Sequence, residues 1–208
     1  MSARILTNTP TSGESPEIYF GENFRQTLWV EFVDNEHEKW IGCFQCDYPN
    51  VLNEVLVDRE NKSAFIVSGG VGHLIDIKNR VLKYKTEENP LIESVIQTTN
   101  PDYFIAGTFY CVYVFDNEKL IKEVSADELV DGIYFKRQVD RKAVGDLASV
   151  DNPFDFNLDF ELDLDTFELT VDRSMITKHN DTAQKTKQDE KNSEMKQSIF
   201  RRLINKMK

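Results

Sequence analysis

The chain reads as mainly β: three to four stacked four-stranded antiparallel sheets in a partial or minimal propeller-like array, followed by a polar linker and a short amphipathic helix. A β-sandwich is the alternative. Three observations lead there. The sequence resembles itself at an interval of 38 residues, its apolar runs are short and punctuated by Gly, Asp-Asn or Lys-Asn, and its texture changes after Val171 from acidic and alternating to basic and polar.

The repeat is ungapped. Phe65-Ile66-Val67-Ser68-Gly69 falls on Tyr103-Phe104-Ile105-Ala106-Gly107, and Leu74-Ile75-Asp76-Ile77 on Val112-Tyr113-Val114-Phe115. Asn79 then meets Asn117, Leu82 meets Leu120, Leu91-Ile92-Glu93 meets Leu129-Val130-Asp131, and Val95 meets Ile133. Apolar runs of about four to six residues between such turn residues are strands joined by tight turns, because Asn and Gly accept the positive φ that those turns need. Each unit therefore reads as four strands: one before the glycine, one after it, one past the Asn turn, and one near Val95 or Ile133. A four-stranded meander recurring at about 40 residues is the pattern of a propeller blade, and one such sheet buries its face only by stacking on the next.

Taken in order, residues 1–17 are rich in Thr, Ser, Gly and Pro and lack a long apolar run, so they read as a flexible N-terminal arm and not as a signal peptide. An acidic β-repeat domain is expected over 18–174. It opens with a hairpin, Leu28 to Val33, Asp34-Asn35, then Trp40 to Phe44, and a weaker repeat copy follows at Val51 to Leu56, which sits on Leu91 to Ile96. The two clear repeats come next. Downstream, Gly145 falls on the repeat of Gly107, and after an insertion Leu162-Asp163-Leu164-Asp165-Thr166 resembles Leu74 to Asn79. Residues 175–192 read as a polar linker with almost no apolar side chains. In 193–208, Ile199, Phe200, Leu203, Ile204 and Met207 fall at helical spacing among basic residues, the pattern of a short amphipathic helix.

Charge narrows the function classes. The 208 residues carry a net charge of −11 with 40% hydrophobic and 29% charged residues, and a mean hydropathy of −0.48 marks a globular, water-soluble chain. Residues 175–208 hold nine Lys and Arg against four Asp and Glu, which leaves 16 basic against 32 acidic residues, or −16, on residues 1–174. A field of that sign disfavours direct nucleic-acid binding and favours a basic protein partner. Three cysteines cannot form a disulfide scaffold and suit a reducing, cytoplasmic setting. No apolar stretch reaches the roughly 18 residues that a membrane-spanning helix needs.

The strongest candidate surface is the run from Phe154 to Asp165, which alternates apolar and polar without error. Period two puts Phe154, Phe156, Leu158, Phe160, Leu162 and Leu164 on one face and the polar groups on the other, with same-face neighbours roughly 6.6–6.8 Å apart. Asp155, Asp159, Glu161, Asp163 and Asp165 are the expected partner-binding row. The same alternation is also what a plain solvated strand face shows. A cation site would want ligands converging from a bent loop, and paired-carboxylate hydrolysis would want two groups across a cleft; a docking row needs only charge and rigidity. In the terminal helix, Phe200, Arg201, Arg202, Leu203 and Ile204 are the second set of partner-binding candidates, whether for a partner groove, for the chain's own acidic row or for an anionic membrane surface.

Other motifs are weaker. Cys43 and Cys46 form a C-x-x-C that could recruit His73 and Cys111, which occupy equivalent repeat positions, but no second ligand pair completes a tetrahedral site, and strand thiols are the plainer reading. Ser68-Gly69-Gly70-Val71-Gly72 lacks the Lys-Ser/Thr or helix start of a phosphate cradle and reads as an inter-strand turn. His37, His73 and His179 are scattered, and no nucleophile elbow occurs. No cofactor is implied, and the residues make no positive case for an enzyme.

Ala64 to Gly72 followed by Leu74-Ile75-Asp76, then Leu129-Val130-Asp131-Gly132-Ile133, then Phe160-Glu161-Leu162-Asp163-Leu164-Asp165-Thr166, resembles small, uncharacterised bacterial WD40-like or β-propeller-like repeat proteins over residues 28 to 170. That set ends its repeats on a similar phrase, usually followed by glycine; here Phe167 stands in that place. The resemblance implies a stacked-sheet fold and a binding role, and brings no active site. The function that follows is a non-enzymatic protein-interaction module that binds a basic partner through an acidic sheet surface, as a bacterial immunity or inhibitor protein does. The alternatives are a metal- or carboxylate-dependent hydrolase acting on carbohydrate, and a structural adaptor recruited by its C-terminal helix.

Overall fold

A computed structural model describes residues 2–174 except 12, 23–25, 34–36, 61, 127–129 and 150–156. The expected Asp34-Asn35 turn, the 175–192 linker and the 193–208 helix lie outside the described residues. Four four-stranded sheets account for the fold. Sheet I holds β1 (Ser2–Ile5), β2 (Glu17–Phe20), β3 (Thr27–Val33) and β4 (Lys39–Gln45). Sheet II holds β5 (Glu54–Val57), β6 (Ser63–Ser68), β7 (Val71–Asp76) and β8 (Val81–Lys85). Sheet III holds β9 (Ile92–Gln97), β10 (Phe104–Thr108), β11 (Cys111–Phe115) and β12 (Leu120–Ser125), and sheet IV holds β13 (Val130–Val139), β14 (Lys142–Ser149), β15 (Leu158–Asp163) and β16 (Leu169–Val171). Four sheets, rather than the two of a sandwich, carry the core. Among the described residues no helix is long and apolar enough to cross a membrane.

Sheets II, III and IV are antiparallel meanders, whereas sheet I runs β1-β3-β4-β2 with β2 parallel to β4. Two expectations change. Residues 2–5 are not a loose arm: β1 pairs with β3 from Ser2↔Val33 to Ile5↔Val30, because Ala3 and Ile5 alternate with Ser2 and Arg4 and pack on the apolar core while Arg4 pairs with Glu31 at 2.8 Å. The strands near Val95 and Ile133 open a new sheet instead of closing the old one. Val95 faces Ala106 and Ile96 faces Ile105 in the β9–β10 register, and Ile133 faces Leu147 across β13–β14. A sequence repeat fixes the interval between like strands, not the point where one sheet ends.

Period two on each strand builds the stack. On β6, Ala64 and Ile66 join Phe32, Trp40 and Phe44 of sheet I, while Phe65 and Val67 join Phe104, Ala106 and Phe115 of sheet III. On β10, Phe104 and Ala106 point back to sheet II and Ile105 points on to Ile133, Phe160 and Leu162 of sheet IV. Sheets II and III are thus apolar on both faces, which is why β6 and β10 read as unbroken hydrophobic runs. Phe65 has its ring 4.7 Å from that of Phe115 and 5.8 Å from that of Phe104, and fully burying such a side chain stabilises the fold by about 1.5–3 kcal/mol. Among the described residues no apolar cluster joins sheet I to sheet IV.

Polar devices set the spacing between sheets. Gly69 and Gly70 take φ of 57° and 79° in the two-residue β6–β7 turn, and their amides donate to Asn53 Oδ1 and Leu52 O, so this loop serves a hairpin and offers no phosphate cradle. Sheets III and IV approach so closely at Gly107 that a Cβ there would lie 2.2 Å from Ile133 O. The hydroxyl of Ser94 bridges the same gap, donating to Ile133 O at 2.8 Å and accepting from Phe135 N at 2.9 Å. Between sheets II and III the half-buried Lys83 ammonium donates to Asn117 O at 2.8 Å and Glu118 Oε1 at 2.9 Å.

Candidate functional site

The outer face of sheet IV is where the structure places the acidic row. Phe160 and Leu162 of β15 are buried against sheet III, Leu158 is buried as well, and Asp159 and Glu161 alternate with them into solvent. Asp163 is half-buried at the strand end and Asp165 is exposed in the turn beyond it. Asp155 lies outside the described residues, as do Phe200, Arg201, Arg202, Leu203 and Ile204.

The β14 register completes the face. Asp146 stands opposite Asp159, Val144 opposite Glu161, and Lys142 opposite Asp163. Lys142 pairs with Glu161, Arg141 pairs with Asp165 through two nitrogens, and Lys136 of β13 reaches Asp146 at 2.6 Å. The row is therefore laced with cations from its own sheet, and Asp159 has no cationic partner among the described residues. Sequence reading missed Lys136, Arg141, Lys142 and Asp146. The available signal was the basic run Lys136-Arg137-Gln138-Val139-Asp140-Arg141-Lys142, a hairpin whose pairing with β15 depends on tertiary structure.

Asp163 does local work as well. Its Oδ1 accepts from Asp165 N at 2.9 Å, Thr166 N at 2.9 Å and Thr166 Oγ1 at 3.2 Å, closing the turn after β15. Asp76 does the same for Asn79 N after β7, and Asp116 for Glu118 N and Lys119 N after β11. The third strand of each meander thus ends on an aspartate, or is followed directly by one, that ties its turn. Those backbone donors hold the Asp163 carboxyl below its ordinary range, and the Arg141 guanidinium does so for Asp165. Both stay ionised at neutral pH, which suits charge pairing and is the opposite of what a general acid requires.

Carboxyls shifted upward lie elsewhere. Burial raises Asp58, which accepts from Lys62 N at 2.7 Å and Ser63 N at 3.1 Å in the β5–β6 turn. Burial, with the neighbouring charge of Asp131, raises Glu93 on β9. Glu93 and Asp131 occupy equivalent repeat positions.

Among the described residues the Cys and His side chains are not gathered into one metal-ligating group. Cys43 is on β4, where burial pushes its thiol up to about 11; Cys46 follows that strand with its sulfur 3.6 Å from Asn53 Oδ1; Cys111 sits on β11 beside Thr108 Oγ1 at 3.5 Å. His73 is on β7, edge-on to the Phe44 ring with centroids 5.3 Å apart. No group of three or more metal-ligating side chains occurs among the described residues.

No protein-family model matches the chain, and no curated protein matches it. Among solved structures, hydrazine synthase of Kuenenia stuttgartiensis is similar at 17% identity and a TM-score of 0.42, over 60% of this chain and 36% of that one. Sqt1 of Saccharomyces cerevisiae is similar at 6% identity and a TM-score of 0.39, over 69% of this chain and 54% of that one. The chain thus spans about a third to a half of the length of these two.

Proposed function

We propose that the chain is a protein-interaction module that captures a basic partner on the outer face of sheet IV, as an immunity or inhibitor protein does. The observation that carries the reading is the solvent-facing pair Asp159 and Glu161 on a strand whose other side is buried in the core, continued by Asp163 at the strand end and Asp165 in the turn beyond it. Such a row is rigid before binding, so little side-chain or backbone ordering is left for the encounter to supply. Its own lysines and arginine do not block it. Exposed ion pairs contribute about 0–1 kcal/mol each, so a partner's Arg can take Glu161 from Lys142 or Asp165 from Arg141 at small cost. The −16 charge of residues 1–174 steers a basic partner inward, faster at low salt.

The test separates this face from net charge. Affinity for a fluorescein-labelled oligolysine probe is compared in Asp159→Asn/Glu161→Gln/Asp165→Asn and in an equally neutralised control, Glu22→Gln/Glu87→Gln/Glu88→Gln, whose sites are exposed on other loops. The reading expects at least a tenfold loss in the first and less than a threefold loss in the second. Equal losses reduce the effect to overall charge and overturn it.

A further inference from the structure

A second surface, which presents a cation without an acidic partner among the described residues, lies beside the first. Where the first strands of sheets II, III and IV run alongside one another, a cleft of about 890 Å³ opens. Its apolar lining is Leu56, Val95 and Ile96, each half-buried. Its cations are Lys136, Arg137 and Arg141, set against the single carboxylate of Asp140. Lys136 and Arg141 already hold Asp146 and Asp165, so in a domain carrying −16 the cleft's uncompensated charge is that of Arg137.

Arg137 is the informative member. Lys136, Arg141 and Lys142 each hold an acidic partner on sheet IV, whereas Arg137, exposed, has none among the described residues. The β13–β14 register slips between Phe135 and Arg137, so that Phe135 faces Gly145 and Arg137 faces Val144 with Lys136 as the extra residue. A bulge re-aims the side chains that follow it; here Lys136 goes to Asp146, and Arg137 lines the cleft. The cleft walls are braced. Ser94 ties β9 to β13, and Gln138 accepts from Thr99 N at 2.6 Å and donates to Asn100 O at 3.2 Å.

We propose that this cleft is a docking site for an extended acidic segment of a protein partner, its carboxylates taken by Arg137 and Arg141 and an intervening apolar side chain by Leu56, Val95 and Ile96. Guanidinium groups bind carboxylates with paired donors, and a groove with an apolar floor and a cationic rim matches a segment whose acidic and apolar residues alternate. A nucleic acid has the charge for the rim but extends past it, where the net charge of the domain repels it. The site differs from the sheet IV face in ligand charge, although Arg137, opposite Val144 and in the same cross-strand row as Glu161, borders both.

Fluorescence anisotropy tests it with a labelled ten-residue peptide of alternating Glu and Val, an alternating Gln and Val peptide, and a single-stranded oligothymidine. Saturable binding of the Glu peptide is expected, weakened at least tenfold in Arg137→Glu and about threefold or more in Arg137→Ala, with the oligolysine affinity of neither variant reduced. Arg137 is exposed, and an unchanged circular dichroism spectrum and urea midpoint certify the fold of each variant. Failure of the Glu peptide to saturate at millimolar concentration, equal binding of the Gln peptide, unaltered binding in Arg137→Glu, or preference for oligothymidine each overturns the proposal.

Discussion

Acidification should weaken the fold through His73. This histidine is fully buried between sheets I and II, with Nδ1 donating to Val71 O at 3.2 Å and no hydrogen-bond partner for Nε2 among the described residues. Burial, aided by the charge of Lys85 across the β7–β8 register, pulls its pKa down to about 4 from an ordinary 6.5. The folded state therefore keeps the neutral ring while the unfolded chain takes up a proton, so stability is full above pH 6.5 and is lost as pH falls through 4. A gap of about 2.5 pH units corresponds to a loss of about 2 kcal/mol by pH 5 and about 3 kcal/mol by pH 4. Asp58 and Glu93, whose folded pKa values are raised, act with the opposite sign, and depressed carboxyls such as Asp76 act mainly below their own ordinary range. The His73 contribution is isolated by difference. Urea unfolding, followed by fluorescence of the buried Trp40, is measured from pH 7 to pH 4 in the parent and in His73→Leu. The parent should lose about 2 kcal/mol more than the variant between pH 7 and pH 5. Parallel pH profiles would refute the reasoning.

Two further outcomes test how the sheets are spaced. Gly107→Ala drives a methyl group into Ile133 O, with a backbone atom as the obstacle, and should destabilise the fold by about 3 kcal/mol in urea unfolding; a change below about 1 kcal/mol would mean that sheets III and IV do not meet as described. Ser94→Ala removes the hydroxyl that serves both Ile133 O and Phe135 N, and should cost about 2 kcal/mol and speed hydrogen exchange at the Phe135 amide.

The sheets were legible because their inward residues repeat: Leu74 and Val112 each face the following sheet, and Ile66 and Phe104 the preceding one, 38 residues apart. β1 was missed because Thr, Ser, Gly and Pro after it dominated the composition, although Ala3 and Ile5 already alternate with Ser2 and Arg4. The phase of the sheets escaped because pairing decides it: nothing local assigns β9 to β10 rather than to β8. Phe167 shows local and tertiary terms in conflict. It adopts φ of 57°, a backbone state that favours the glycine which the family resemblance places there, and its ring packs 5.7 Å from that of Tyr103. The carboxylates of β15 were readable from alternation alone. Their partners Lys136, Arg141 and Lys142, and the cleft joining Leu56, Val95 and Arg137, come from separate strands that only the folded stack brings together.

The sheet IV assignment is tested most directly by amide chemical-shift mapping of the intact chain during an oligolysine titration. The account predicts saturable shifts concentrated at Val144, Asp146, Asp159 and Glu161, with β1, β8 and β12 unmoved. Shifts scattered over every acidic loop, or centred on Glu93 and Asp131, would contradict it.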